Sequence, residues 1–164
     1  MCAGKTLTGR ALAALLKRPF CDSDQAVEKE TGIKIAALFS KKGPDGFRRA
    51  EAAAVKKIAA RCGVVAALGG GIYPSRKWKN RLAASGTAVY LHCPWPELRG
   101  RLKADRAARP LLAGEWGDAC GRARTLYRKR LGFYRLSDLE VNTSGLSPQA
   151  VAGKIKAMLP AEEK

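Results

Sequence analysis

Val64-Val-Ala-Ala-Leu68 is an unbroken apolar run that empties directly into Gly69-Gly-Gly71. Five residues are too few for a free-standing helix, and a strand apolar at every position is one covered on both faces. This is how a buried parallel strand enters a ligand loop. Thr87 to Leu91 forms a second apolar strand, and a last short one lies near Leu139-Glu-Val-Asn142. Lys17 to Asp22 reads as a short extended piece closing on Asp22-Ser-Asp24.

Helices fill the intervals. The first carries Leu7, Ala11, Leu12, Leu15 and Leu16 on one face. A second begins around Gln25, and Ile33 to Phe39 is helical in spacing until Gly43-Pro-Asp-Gly46 breaks it. An alanine-rich amphipathic helix runs from about Phe47 to Arg61. Pro74 opens another to Ala84, Pro94 or Pro96 starts one through Leu102, Trp116 to Arg130 forms the next, and Pro148 starts the last, ending near Leu159. Asp105 to Gly114 lacks clean periodicity and reads as a mobile loop. Alternating strands and helices predict an α/β fold, a parallel sheet with helices on both faces, in one domain over residues 1–164. Ligands in such folds bind beyond the C-terminal ends of the strands, where the Gly and Asp clusters fall.

Lys and Arg outnumber Asp and Glu by 31 to 14, a net charge of +17 that favours anionic partners. The basic residues are spread along helices rather than gathered in a tail, and aromatics make up only 7% of the chain, with no cluster suited to stacking bases. Nucleic acid is therefore disfavoured as a partner, and nucleotides or acidic metabolites are favoured. No run approaches the roughly 18 to 20 apolar residues of a membrane span, and the N-terminus lacks a signal peptide's layout, so a cytoplasmic location is expected. The five cysteines are odd in number, far apart and without a C-x-x-C pair, against a disulfide framework or a zinc site. His92 follows an apolar run and reads as a strand-end or core histidine.

Gly4-Lys5-Thr6 stands where the first helix begins. It matches the back half of a phosphate-binding loop, G-x-x-x-x-G-K-[ST], in which backbone N–H groups and a helix N-terminus wrap a polyphosphate. A bare Gly-Lys-Thr is common by chance, and an Asp-x-Asp pair such as Asp22 and Asp24 also fits a helix cap. Other signals follow in order: Phe20-Cys-Asp-Ser-Asp24, Phe47-Arg48 with Glu51, Leu68-Gly-Gly-Gly71, Asn80-Arg81, Val89-Tyr-Leu91, Arg109-Pro-Leu-Leu112, and Arg130 followed by Tyr134. This ordered set, covering nearly the whole chain, resembles the shikimate kinases, small P-loop kinases related to nucleoside monophosphate kinases.

The resemblance implies the P-loop kinase form of the three-layer αβα fold, with strand order 2-3-1-4-5, and the transfer of ATP's γ-phosphoryl group to the 3-hydroxyl of shikimate in aromatic amino acid biosynthesis. It assigns Gly4, Lys5, Thr6 and Leu7 to the nucleotide, with Lys5 reaching the β- and γ-phosphates. Thr6 goes to Mg²⁺ with Asp22 as its outer-shell carboxylate, and Asp24 to the acceptor hydroxyls and their proton. Arg48 and Arg130 resemble the pair that clamps the substrate carboxylate, a task suited to the planar guanidinium fork. Gly69, Gly70 and Gly71 would let the backbone approach shikimate closely, and Glu51 would orient Arg48. The loop at about 105–115 resembles a lid carrying Arg109 to the transferring phosphate. Arg101 is a weaker candidate for the adenine, and Ser144-Gly-Leu-Ser-Pro148 matches the adenine-side turn without the arginine some members stack there. A monomer binding shikimate and ATP, with Mg²⁺ as cofactor, is expected.

The family's first strand and first loop glycine have no counterpart before Gly4, which predicts that Val64–Leu68 and Thr87–Leu91 lack a shared partner. The preferred expectation is a start assigned too far downstream; a truncated gene and a degenerate, inactive homologue are the alternatives. Other functional alternatives are a related small-molecule kinase, such as a gluconate kinase, and a non-enzymatic basic binding protein.

Overall fold

A computed structural model describes residues 2–72, 76–104, 112 and 114–160. The chain forms α1 (Lys5–Leu16), β1 (Phe20–Asp22), α2 (Ser23–Thr31), α3 (Ile35–Ala59), β2 (Val65–Ala67), α4 (Arg76–Ala83), β3 (Val89–His92), α5 (Trp95–Ala104), α6 (Trp116–Tyr134), β4 (Leu139–Asn142) and α7 (Pro148–Met158). It is a three-layer α/β/α architecture with parallel strands only.

Local chemistry sets the boundaries. Gly4 takes φ 80° before α1, a left-handed turn that a side chain disfavours. Asp22 ends β1 and caps α2 with its own carboxylate, and Gly32 at φ 70° closes that helix. The expected break in the third helical segment is at Gly43, whose φ 65° and ψ −179° interrupt α3 immediately before Pro44. Ser147 caps α7 through the Ala150 N–H, with Pro148 in its first turn, where no backbone donor is needed.

β1 pairs with β2 in the register Phe20–Val65, Cys21–Ala66 and Asp22–Ala67. β3 pairs with β4 from Val89–Leu139 to His92–Asn142. These are two separate two-stranded sheets. Among the described residues β2 and β3 do not pair with each other, and a cavity of about 380 Å³ lies between them, floored by Leu12 and Leu16 of α1. His92 is the terminal residue of β3, as expected, and its Nδ1 lies 3.2 Å from Glu140.

Three apolar clusters hold the layers. Leu12, Leu91, Val141, Val151, Ala152 and Ile155 join α1 and α7 to β3 and β4. Leu98, Leu102, Ala119 and Ala123 join α5 to α6, with Leu112 and Cys93 in the same cluster. Val27, Leu38, Phe47 and Ala54 join α2 to both halves of α3. The face of α1 differs from expectation: Leu7 is 63% and Leu15 45% exposed, while Thr8, Leu12 and Ala13 are buried. Spacing alone allows two overlapping faces on so apolar a helix, and docking against α7 selects the narrower one.

Candidate active site

The residues expected at a phosphate end and those expected at an acceptor end form two groups, joined by the three residues 22–24. At the phosphate end, Lys5 and Thr6 are the first residues of α1, and no side chain caps that helix. The helix dipole and the N-terminal N–H direction favour an anion at this end. Gly4, Lys5, Thr6, Leu7, Asp22, Asp24, Gly69 and Arg101 share one cavity of about 350 Å³. The structure thus brings the whole expected nucleotide and metal set together except Arg109, which lies outside the described residues, as does the expected lid from 105 to 111.

Asp22 caps α2, the role its spacing allowed, and also reaches Thr6. Its Oδ1 accepts from the backbone N–H of Asp24 at 2.9 Å and Gln25 at 3.4 Å, while Oδ2 accepts from the Thr6 hydroxyl at 2.7 Å. One carboxylate therefore caps α2 and holds Thr6 in a fixed rotamer. The hydroxyl and carboxylate form an oxygen pair of the hard type Mg²⁺ requires. No group of three His, Cys, Asp or Glu side chains is arranged for a metal among the described residues. A cation here would take its remaining ligands from phosphate and water, as Mg²⁺ commonly does. Arg101 donates to Glu97 at 2.5 Å and to the Cys2 carbonyl at 3.4 Å, which fixes its guanidinium beside the phosphate end.

At the acceptor end, Gly69 to Ile72 form a turn closed by the Ile72 N–H on the Gly69 carbonyl at 3.2 Å. A methyl on Gly69 would lie 2.2 Å from Glu51 Oε1 and 3.2 Å from Asp24 Oδ1. One on Gly71 would lie 2.0 Å from Arg48 Nη1. Gly69 and Gly71 thus leave room for Glu51, Asp24 and Arg48, three of the side chains expected at the acceptor end. Arg48 is ion-paired with Glu51 one turn along α3 and stacks over the buried Phe47 ring at 5.2 Å.

Glu51 is 1% exposed. Burial pushes its carboxyl above the ordinary carboxylate range, partly opposed by Arg48 and Arg130, which lie within electrostatic reach. Arg130, on α6, also hydrogen-bonds the Tyr134 side chain. The two arginines expected to act together, 82 positions apart in sequence, therefore bear on the same carboxylate, Glu51.

Two contacts here were not legible beforehand. Ser23, fully buried, accepts the Gly69 N–H on its Oγ at 2.8 Å, and Tyr134 donates its hydroxyl to the Gly70 carbonyl at 2.5 Å. A serine between two aspartates at a helix start reads as a cap, and nothing in its neighbourhood announces a partner 46 residues away. For Tyr134 the only signal was its place after Arg130 in the ordered motif set.

A family model described as shikimate kinase matches residues 1–160 of the chain. The shikimate kinase of Legionella pneumophila (strain Corby) is 38% identical over 156 residues, covering 94% of this chain and 87% of that protein. Shikimate kinase 1 of Salmonella newport (strain SL254) is 37% identical over 160 residues, covering 97% and 91% respectively. Among solved structures, the shikimate kinase from Acinetobacter baumannii in complex with shikimate superposes with a TM-score of 0.89 at 34% identity, covering 96% of this chain and 87% of that one.

Proposed function

The chain belongs to the shikimate kinase family, and from that premise we propose how its own residues carry the transfer of a phosphoryl group from ATP to shikimate. Lys5 and the first-turn amides of α1 bind the β- and γ-phosphates. Thr6, with Asp22 behind it, would hold Mg²⁺, which would supply positive charge to offset that of the polyphosphate. Arg48 and Arg130 fork the carboxylate of shikimate, and the backbone of Gly69 to Gly71 lies along its ring. Asp24 orients the 3-hydroxyl and takes its proton as that oxygen bonds to the γ-phosphorus. The bond from that phosphorus to the β–γ bridging oxygen breaks, leaving ADP and a phosphate ester. Positioning and charge neutralisation carry most of such a reaction, and this site offers little else. Arg109, outside the described residues, belongs to a lid at about 105–115 of a single domain and supplies a further positive charge to the transferring group.

The observation that carries the reading is the stitch through residues 22–24: Asp22 holds Thr6 at the phosphate end, and Ser23 holds Gly69 at the acceptor end. One short segment thereby fixes donor and acceptor relative to each other. We place the enzyme in the cytoplasm as a monomer. Five cysteines, none in a disulfide, suit a reducing compartment, and no described helix is long and apolar enough to cross a membrane. The +17 charge serves anionic small substrates rather than nucleic acid.

The test is coupled ADP release with and without shikimate, in the presence and absence of Mg²⁺. Turnover that depends on both, and is lost in Lys5→Ala, is the expected result. ATP consumption no faster with shikimate than without it sinks the substrate assignment.

A further inference from the structure

We propose that Tyr134 is a positioning residue for shikimate, its hydroxyl fixing Arg130 and the Gly70 carbonyl to one shared oxygen. This rests on the reading of Arg48, Arg130 and Gly69 to Gly71 as the shikimate site. Tyr134 is the last residue of α6, one turn beyond Arg130. Its hydroxyl crosses to the Gly70 carbonyl at 2.5 Å, and the same side chain hydrogen-bonds Arg130. A phenol has one proton to give and lone pairs to accept with. With the proton committed to Gly70, a guanidinium, which only donates, is the chemically matched second partner.

The ring cannot easily move to release these contacts. It stacks on Tyr90 of β3 with centroids 5.3 Å apart and planes inclined by 29°, and Tyr90 is itself 9% exposed. The oxygen is therefore held by the sheet and holds two parts of the site in turn. Gly70 sits between Gly69, pressed on Glu51, and Gly71, pressed on Arg48. A loop free to shift at Gly70 would carry both contacts with it. The hydroxyl thus couples the arginine on α6 to the loop that packs against the arginine on α3, and sets the gap between the two guanidinium groups that a carboxylate must span. A bidentate site tolerates little error in that gap.

Tyr134→Phe keeps the stacked ring and removes only the shared oxygen. Loss of one ordinary hydrogen bond, felt by shikimate only through the placing of Arg130 and the loop, predicts a rise of about five- to tenfold in KM for shikimate, with kcat and KM for ATP within about twofold of wild type and thermal stability within a few degrees. The control is Tyr127→Phe, on the same helix, whose ring contacts Trp95 at 5.7 Å; it should leave KM for shikimate unchanged. An unaltered KM in Tyr134→Phe, or an equal rise in Tyr127→Phe, overturns the inference. Wild-type enzyme that shows no shikimate-dependent ADP release defeats the underlying reading instead, so the two failures are distinguishable in one assay.

Discussion

Gly71→Ala is the change that best separates shikimate recognition from folding. The added methyl would lie 2.0 Å from Nη1, 2.5 Å from Cζ and 2.6 Å from Nη2 of Arg48, well inside contact distance. Gly71 is not among the glycines at positive φ, so alanine meets no backbone strain there. The group that must yield is the tip of a flexible side chain that is 42% exposed, and it can swing into solvent. The cost to folding is the bond to Glu51, whose buried carboxylate can take up a proton when its partner leaves. A lost charged hydrogen bond of ~1.5–3 kcal/mol, offset by ~0.4–1 kcal/mol from a stiffer unfolded chain, leaves a net loss of roughly 1–2 kcal/mol. The enzyme should fold. Shikimate, however, loses one arm of the proposed clamp, and ~1.5–3 kcal/mol there corresponds to a KM about 10- to 150-fold higher. KM for ATP should hold, since Gly71 does not line the cavity at the phosphate end.

Steady-state ADP release at saturating MgATP gives KM for shikimate, and urea unfolding gives the stability. The control is an Arg48→Ala background, in which the methyl has nothing to displace and Gly71→Ala should add less than a twofold effect. A KM within twofold of wild type, or a full multiplicative penalty in the Arg48→Ala background, would refute the packing argument. Gly69→Ala offers the contrast: its methyl meets Glu51 Oε1 at 2.2 Å, and a side chain 1% exposed has no route to solvent. That variant should lose more stability than Gly71→Ala in the same urea titration.

Asp22→Asn should keep the α2 cap, since asparagine caps as well as aspartate, and should melt near wild type. By removing the charge facing Thr6 it should raise the Mg²⁺ concentration for half-maximal ADP release by about 10- to 100-fold. Unchanged Mg²⁺ dependence would reduce Asp22 to a cap. Glu51→Gln tests the raised pKa, which means that the folded state holds the Glu51 proton more tightly than the unfolded chain. Stability from this group is then full below the unfolded value near 4.5 and is lost as pH rises through the folded one. The difference in urea stability, wild type minus Glu51→Gln, should therefore fall as pH rises above the unfolded value; a difference that grows with pH contradicts burial as the dominant cause.

The order of elements could be read from the chain because β2 and β3 are apolar runs closed by Gly69 and Pro94, β1 closes on Asp22, and the break in α3 has local chemistry at Gly43-Pro44. What failed was whatever depends on a distant partner. Leu7 and Leu15 share a helical face with Leu12 by spacing, yet both are exposed, because α7, some 140 residues later, covers only part of that face. Thr87 to Leu91 was an apolar strand by composition, yet the ladder runs Val89–His92, because its register is set by β4 and the Leu139 N–H already reaches back to the Ala88 carbonyl.

The site divides in the same way. Residue types declared themselves, since a phosphate end needs a helix start and an acceptor end needs carboxylate, guanidinium and bare backbone. The distances between the two ends did not, because they are fixed by the turn from β1 into α2. There the extended backbone gives way to the first helical turn at Asp22, so the next three side chains take different directions. Asp22 reaches Thr6, Ser23 reaches the Gly69 N–H, and Asp24 comes to the face where a methyl on Gly69 would touch it. Moving the strand-to-helix boundary by one residue would send Ser23 to Thr6 and an aspartate to the Gly69 amide. The metal-side carboxylate would then be lost while every residue type remained. Asp22 is held at that boundary by its register opposite Ala67 and by the cap it makes itself.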